Sequence, residues 1–163
     1  MSLAKTSTGL DDLPRETAPG GLIETHVTPT LNDEHCQTVM SKTIDLFGAC
    51  DALVVEATKH LSGPIELMSE ERLREAVEVN IIEPLSMLRA VSTQFRKQGR
   101  GTIICLTGHA PRTPLPLLGA TAVTEAGLER LCQTLRVELK PFNVKVVTVH
   151  QGSVQDLFGG KTS

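Results

Sequence analysis

The residues best placed to do chemistry gather around one histidine. His109 follows the apolar run Thr102–Leu106, and Cys105, Thr107 and Glu125 are near enough along the chain to fall within side-chain reach of it. An imidazole beside a carboxyl is an acid/base pair suited to a non-redox reaction such as isomerisation, dehydration or cyclisation. The competing reading is a loop histidine bonded to water, with the glutamate nearby by chance. Cys105 sits inside an apolar strand, which makes it a core residue with an inert thiol. The cysteines at 36, 50, 105 and 132 form no CxxC pair, so neither a zinc site nor a redox dithiol is signalled. They read as the reduced thiols of a cytoplasmic protein. His26, His35 and His60 lack metal-ligand spacing, and no metal site is expected.

Absences narrow the chemistry further. Four Phe are the only aromatic residues, and the 163-residue chain has no Tyr and no Trp. Any mechanism that needs a tyrosine hydroxyl is therefore excluded, and few ring faces are left to stack on unpaired bases. With 16 Lys+Arg against 19 Asp+Glu, the formal charge is −3. No basic footprint is present for a nucleic-acid backbone or an anionic membrane, so neither partner is expected. No apolar run approaches the roughly 20 residues that span a bilayer. A cytoplasmic location follows as the expectation, and a small-molecule ligand stays open.

The elements that must position these residues can be read from hydrophobic spacing. Residues 1–20 are rich in Ser, Thr, Asp, Pro and Gly and are expected to be a poorly ordered lead-in to a single domain over 21–158, with 159–163 as a tail. Residues 22–27 are compatible with a short strand, followed by a helix capped by Asp33 and ended by Gly48. Three apolar, β-branched runs, 52–55, 102–106 and 144–149, read as strands covered on both faces. Between them, Ser69 caps one long helix over 70–98, and a second runs over 121–140 until Pro141 stops it. Strands alternating with helices argue for an α/β fold with a parallel sheet.

Three stretches carry a family resemblance: FGACDALVVEATKHLSGPIELMSEERLREAVEVNIIEP, GRGTIICLTGHAPRTPLPLLGATAVTEAGLERL and LRVELKPFNVKVVTVHQGSVQDLF. Over residues 22–158 the chain resembles the short-chain dehydrogenase/reductase family. The last stretch is nearest in character to its 17β-hydroxysteroid dehydrogenase and fungal acyl-dihydroxyacetone-phosphate reductase branch. The resemblance implies a Rossmann-like sheet that binds NAD(P) through a glycine-rich turn after its first strand. Nothing before Asp51 reads as strand, glycine turn and helix, so the expected fold is a truncated Rossmann-like parallel sheet flanked by helices, with no cofactor. The strand over 22–27 must then pair elsewhere, swap between subunits or fail to form.

Residue by residue, the resemblance implies the loss of most of the catalytic tetrad. Val55, Glu56, Ala57 and Thr58 stand where the family has its NNAG motif. Asn80, in EVNIIEP, matches the family's helix asparagine, which holds a water in the proton relay; the competing reading is a buried polar residue bonded to backbone. Gly108 stands at the serine position, Thr121 at the tyrosine and Glu125 at the lysine. A phenol can supply a proton near neutrality when an ammonium lowers its pKa from ~10, whereas a threonine hydroxyl cannot ionise there. A glutamate in the lysine's place would repel a phosphate-bearing cofactor. The reading is therefore a non-catalytic relative without metal or cofactor sites; the alternative is a cofactor-independent lyase, isomerase or cyclase using His109, Thr107, Glu125 and Asn80. The family's helix pairing also implies a homodimer through helices 70–98 and 121–140, with Ala76, Met87, Ala90, Ala126, Leu128 and Leu135 at the contact.

Overall fold

The computed structural model describes residues 2–4, 24–27, 31–56, 59–108 and 114–151. Two parallel sheets are present among them. Strand β1 (Ser2–Ala4) pairs with β2 (Thr25–Val27) in the register Ser2 to Thr25. Strands β3 (Ala52–Glu56), β4 (Gly101–Thr107) and β5 (Val144–His150) form a second sheet in the order β3-β4-β5. The strand expected near residue 22 therefore forms as Thr25–Val27 and pairs within its own chain. The expectation of loop throughout residues 1–20 does not hold at Ser2–Ala4, because those residues supply the partner for that pairing.

The helices follow from local signals. Helix α1 (Asp33–Phe47) starts at Asn32, whose Oδ1 accepts from the His35 N–H; the cap lies one residue before the expected Asp33. It ends at Gly48 in the left-handed conformation, with φ 76°, which glycine adopts without a Cβ clash. Helix α2 (Glu70–Val77) is capped by the Ser69 hydroxyl, as its sequence predicts. The single helix expected over 70–98 is, however, interrupted by a widened π turn, Glu78–Ile82, before α3 (Glu83–Gln98). Pro84 is the physical reason. It has no N–H to give the Asn80 carbonyl and its ring would crowd that carbonyl. The chain widens instead, so that the Glu83 N–H bonds Glu78 O. Helix α4 (Gly119–Leu139) ends just before Pro141.

The core lies on one face of the β3-β4-β5 sheet. Val55, Ile103, Cys105, Val144 and Val146 alternate inward against Leu88, Val91 and Phe95 of α3 and Leu128, Cys132 and Leu139 of α4. Helix α1 adds Cys36, Val39 and Met40, and Arg89 of α3 pairs with Asp33 at 2.7 Å. The opposite face differs from expectation. Val54 is 58% exposed, Val147 41% and Val149 42%, so the apolar runs are covered on one side only by the described residues. A continuous run of β-branched residues predicts burial on both faces, but burial depends on which helices exist to cover them. No helix among the described residues is long and apolar enough to cross a membrane.

The start of β4 gives a direct test of core packing. Phe95 is fully buried, and a Cβ placed on Gly101 would come within 2.3 Å of its ring. Gly101→Ala is expected to lower unfolding free energy by about 1–3 kcal/mol through overpacking. Urea denaturation followed by circular dichroism checks this, and an unchanged midpoint would contradict the packing described.

Candidate functional site

The ends of β3, β4 and β5 meet the first half of α4 at the C-terminal edge of the sheet, where open α/β folds hold ligands. The π turn presents Asn80 to this edge. Its Oδ1 accepts from the Lys59 N–H at 2.6 Å, while its Nδ2 donates to Lys59 O at 3.1 Å and to Thr124 Oγ1 at 2.9 Å. The amide is 1% exposed and tied to protein atoms on both sides. It fastens the segment after β3 to α4.

Thr121 makes a second fastening beside it. The hydroxyl accepts from Leu61 N–H at 2.9 Å and donates to Leu61 O at 3.1 Å, with the residue fully buried. One proton and one lone pair of this hydroxyl are thus committed to a single backbone unit. The Thr121 side chain thus braces a loop.

One helical turn on, Glu125 is 2% exposed, and neither carboxyl oxygen has a hydrogen-bond partner among the described residues. Its oxygens lie against Gly108; a Cβ built there would meet them at 2.9 and 3.0 Å. The carboxyl therefore fills the space that a side chain at position 108 would need. Burial pushes its pKa above the ordinary 4.5, with the Gly108 amide, His60 and His150 pulling partly back.

Next to it, the ends of β4 and β5 bring Thr107 and His150 into register. Thr107 Oγ1 lies 3.0 Å from His150 Nδ1, and His150 Nε2 lies 3.7 Å from Glu129 Oε1. If Thr107 donates to Nδ1, the ring carries its proton on Nε2, directed at Glu129. Gln133 Nε2 also donates to Glu129, at 3.2 Å. Across the same edge, the Gln151 N–H bonds Thr107 O and its side chain reaches Glu56 Oε1 at 3.3 Å.

Of the residues singled out in sequence, Thr107, Gly108 and Glu125 converge at this edge, and Asn80 stands behind them on Lys59 and Thr124. His109 lies outside the described residues. The imidazole that the structure does place against Thr107 is His150, which no spacing rule indicated because it is 43 residues away and only the sheet register joins them. His60, which has no metal-ligand spacing in the sequence, acts electrostatically on Glu125. A further pairing was also missed. Cys132 of α4 and Cys105 of β4 lie with their sulfurs 2.9 Å apart, both fully buried. The contact with Cys132, together with burial, holds the Cys105 thiol well above its ordinary range, so it stays protonated. Among the described residues no group of His, Cys, Asp and Glu has the makings of a metal site.

The buried carboxyl has a measurable consequence. A group whose folded pKa is raised binds more protons in the folded state than in the unfolded one. Stability is then highest below the unfolded value and falls as pH rises through the folded one. Unfolding free energy is therefore expected to decline as pH rises above about 4.5. Glu125→Met, of similar length and apolar, should flatten that decline and add about 1–3 kcal/mol at neutral pH by removing an unpartnered polar group. Urea titrations of both proteins across the pH range check the sign. A destabilised variant would mean that the carboxyl has a partner.

A sequence model described as short chain dehydrogenase matches residues 11–158. Human 17-beta-hydroxysteroid dehydrogenase type 1 is 29% identical over 111 residues, covering 68% of this chain and 34% of that protein. A short-chain dehydrogenase of Penicillium ochrochloron is 38% identical over 111 residues, covering 68% of this chain and 40% of its own. The chain thus spans well under half the length of these relatives. Among solved structures, a short-chain dehydrogenase from Streptomyces avermitilis superposes with a TM-score of 0.83 at 28% identity, over 97% of this chain and 58% of that one. A metagenomic short-chain oxidoreductase in complex with NADP gives 0.83 at 27% identity, over 93% and 70%. With the sheet order, the helix asparagine and the matched span together, this chain belongs to the short-chain dehydrogenase family.

Proposed function

We propose that the chain is a non-catalytic member of this family, acting through binding and without NAD(P)-dependent hydride transfer. One observation carries the reading: the position that should supply a proton holds Thr121, whose hydroxyl is bonded to both polar atoms of Leu61. Glu125 and Gly108 support it. A carboxyl where an ammonium would hold the cofactor's ribose places like charge toward a phosphate-bearing ligand, and glycine has no hydroxyl to give a carbonyl. The relatives are named as dehydrogenases and one neighbour binds NADP; neither property carries over to a site with these substitutions. Titration with NADH and NADPH, followed by fluorescence and calorimetry, should show no saturable binding up to about 1 mM. Micromolar binding would overturn the reading.

A second reading, cofactor-independent acid/base chemistry, has a specific observation in its favour. The chain Thr107–His150–Glu129 orients an imidazole beside the Glu125 carboxyl. In that reading His150 takes the part that the linear sequence suggests for His109.

The partner in the first reading is a second copy of this chain, docked through helices 70–98 and 121–140. Val77, Ile82, Val123 and Val137 are exposed on them, and an apolar cleft of about 180 Å³ between α2 and α4 is lined by Leu73, Ala76, Val77, Ala120 and Val123. Of the contact residues named from the sequence, Ala76 lines this cleft, while Met87, Ala90 and Leu128 are buried in the chain's own core, which leaves the exposed valines to carry the contact. Val123→Glu, at a position 70% exposed, should convert the dimer to monomer in sedimentation with little loss of fold. A wild-type monomer at all concentrations would reject this interface.

A further inference from the structure

Two of the four cysteines meet in the core, and they come from different elements. Cys105 is an inward residue of β4 and Cys132 lies on α4, 27 residues later, with their sulfurs 2.9 Å apart. Packed carbon atoms stand about 3.5–4.0 Å apart, and a covalent S–S bond is about 2.05 Å. The two sulfurs therefore sit inside ordinary packing contact, and about 1 Å of approach separates them from a bond. Both residues are fully buried, in the same apolar cluster as Ile103, Leu128 and Val146. Three of the four thiols are held protonated. Burial pushes Cys36 up to about 11, with Asp33 and Glu83 adding to it, and burial also raises Cys50. Cys105 is raised by its contact with Cys132 and by burial. Cys132 alone moves down, against burial and Glu129, because the Cys105 thiol lies against it and Arg136, one turn on, favours its thiolate. The one sulfur with thiolate character is thus the one that already touches a second thiol.

We propose that Cys105 and Cys132 form an oxidative modification site, in which hydrogen peroxide closes a disulfide between β4 and α4. The Cys132 thiolate attacks one oxygen of the peroxide. The O–O bond breaks, the leaving oxygen takes up the proton that Cys132 released and departs as water, and Cys132 is left as a sulfenic acid. The Cys105 sulfur then attacks the Cys132 sulfur. The S–S bond forms, the S–O bond breaks, and the hydroxyl departs as a second water with the Cys105 proton. Two thiols lose two electrons in all, and one peroxide gains them. Burial selects this product. A bulky thiol adduct has no room at a fully buried sulfur, whereas a peroxide is little larger than water and enters on local opening. Disulfides of reducing compartments are typically transient and redox-sensing, and a dithiol reductant returns this one to two thiols by exchange. While closed, it tethers α4, whose first turns carry Thr121 and Thr124, to the strand beneath it. The inference does not depend on whether a nicotinamide cofactor binds.

The test treats the full native chain with hydrogen peroxide, removes the excess with catalase, and unfolds the protein in guanidinium with iodoacetamide. Mass spectrometry without reductant should then find Cys36 and Cys50 alkylated. The tryptic peptides Gly101–Arg112 and Leu131–Arg136 should be joined, with the loss of two hydrogens, and dithiothreitol should separate them. The thermal midpoint of the oxidised protein should rise by about 5–10 °C, because a crosslink over this separation constrains the unfolded chain. In Cys132→Ala, Cys105 should stay an unoxidised thiol, having lost the sulfur that reacts first. Should that variant not fold, Cys50→Ser, outside the pair, gives the complementary result, since the crosslink must survive it. Four alkylated thiols after peroxide, a crosslink through Cys36 or Cys50, sulfinic acid at Cys132 beside a free Cys105, or a midpoint that does not rise would each overturn the proposal.

Discussion

The segment after β3 is held by two side chains that bond backbone where backbone has no strand to bond. Asn80 satisfies both polar atoms of Lys59, and Thr121 both polar atoms of Leu61. Buried backbone groups without partners cost as much as lost hydrogen bonds, so a loop crossing the edge of a sheet needs such substitutes. Their consequence reaches further than the loop. Thr124 is bonded to the same Asn80 amide, and Thr121 and Thr124 lie on the first turns of α4. The position of α4 against the sheet therefore follows from this lattice, and with it the placement of Glu125, one residue further on.

The lattice depends in turn on a distortion. Asn80 reaches Lys59 from a π turn, and the π turn exists because Pro84 cannot sit one turn after Asn80 in an undistorted helix. A single residue without an N–H thus aims an amide four positions earlier. On α4 and at the end of β4, Thr121 turns to the loop and the Glu125 carboxyl occupies the volume left by Gly108. Glycine at 108 and glutamate at 125 are sterically complementary, since a Cβ on the one would collide with the carboxyl of the other.

Much was legible in the linear chain because its signals are local. Caps at Ser69 and Gly48, the stop at Pro141 and the three β-branched runs each depend on neighbours within a turn or a strand, and the family follows from motifs in order. The absence of tyrosine could likewise be read directly, since residue type alone decides which hydroxyl ionises. Tertiary structure decided the rest, for physical reasons that local spacing does not contain. Periodicity shows that a strand is apolar, but only the placement of helices shows that Val54, Val147 and Val149 face outward. Sheet register brings His150 to Thr107 and packing brings Cys132 to Cys105, over separations that no motif spans. Whether the Glu125 carboxyl has a partner is a property of everything around it, and composition cannot express that. The amino-acid sequence by itself determined which residue types are present and which local elements they form; the fold determined which groups face one another.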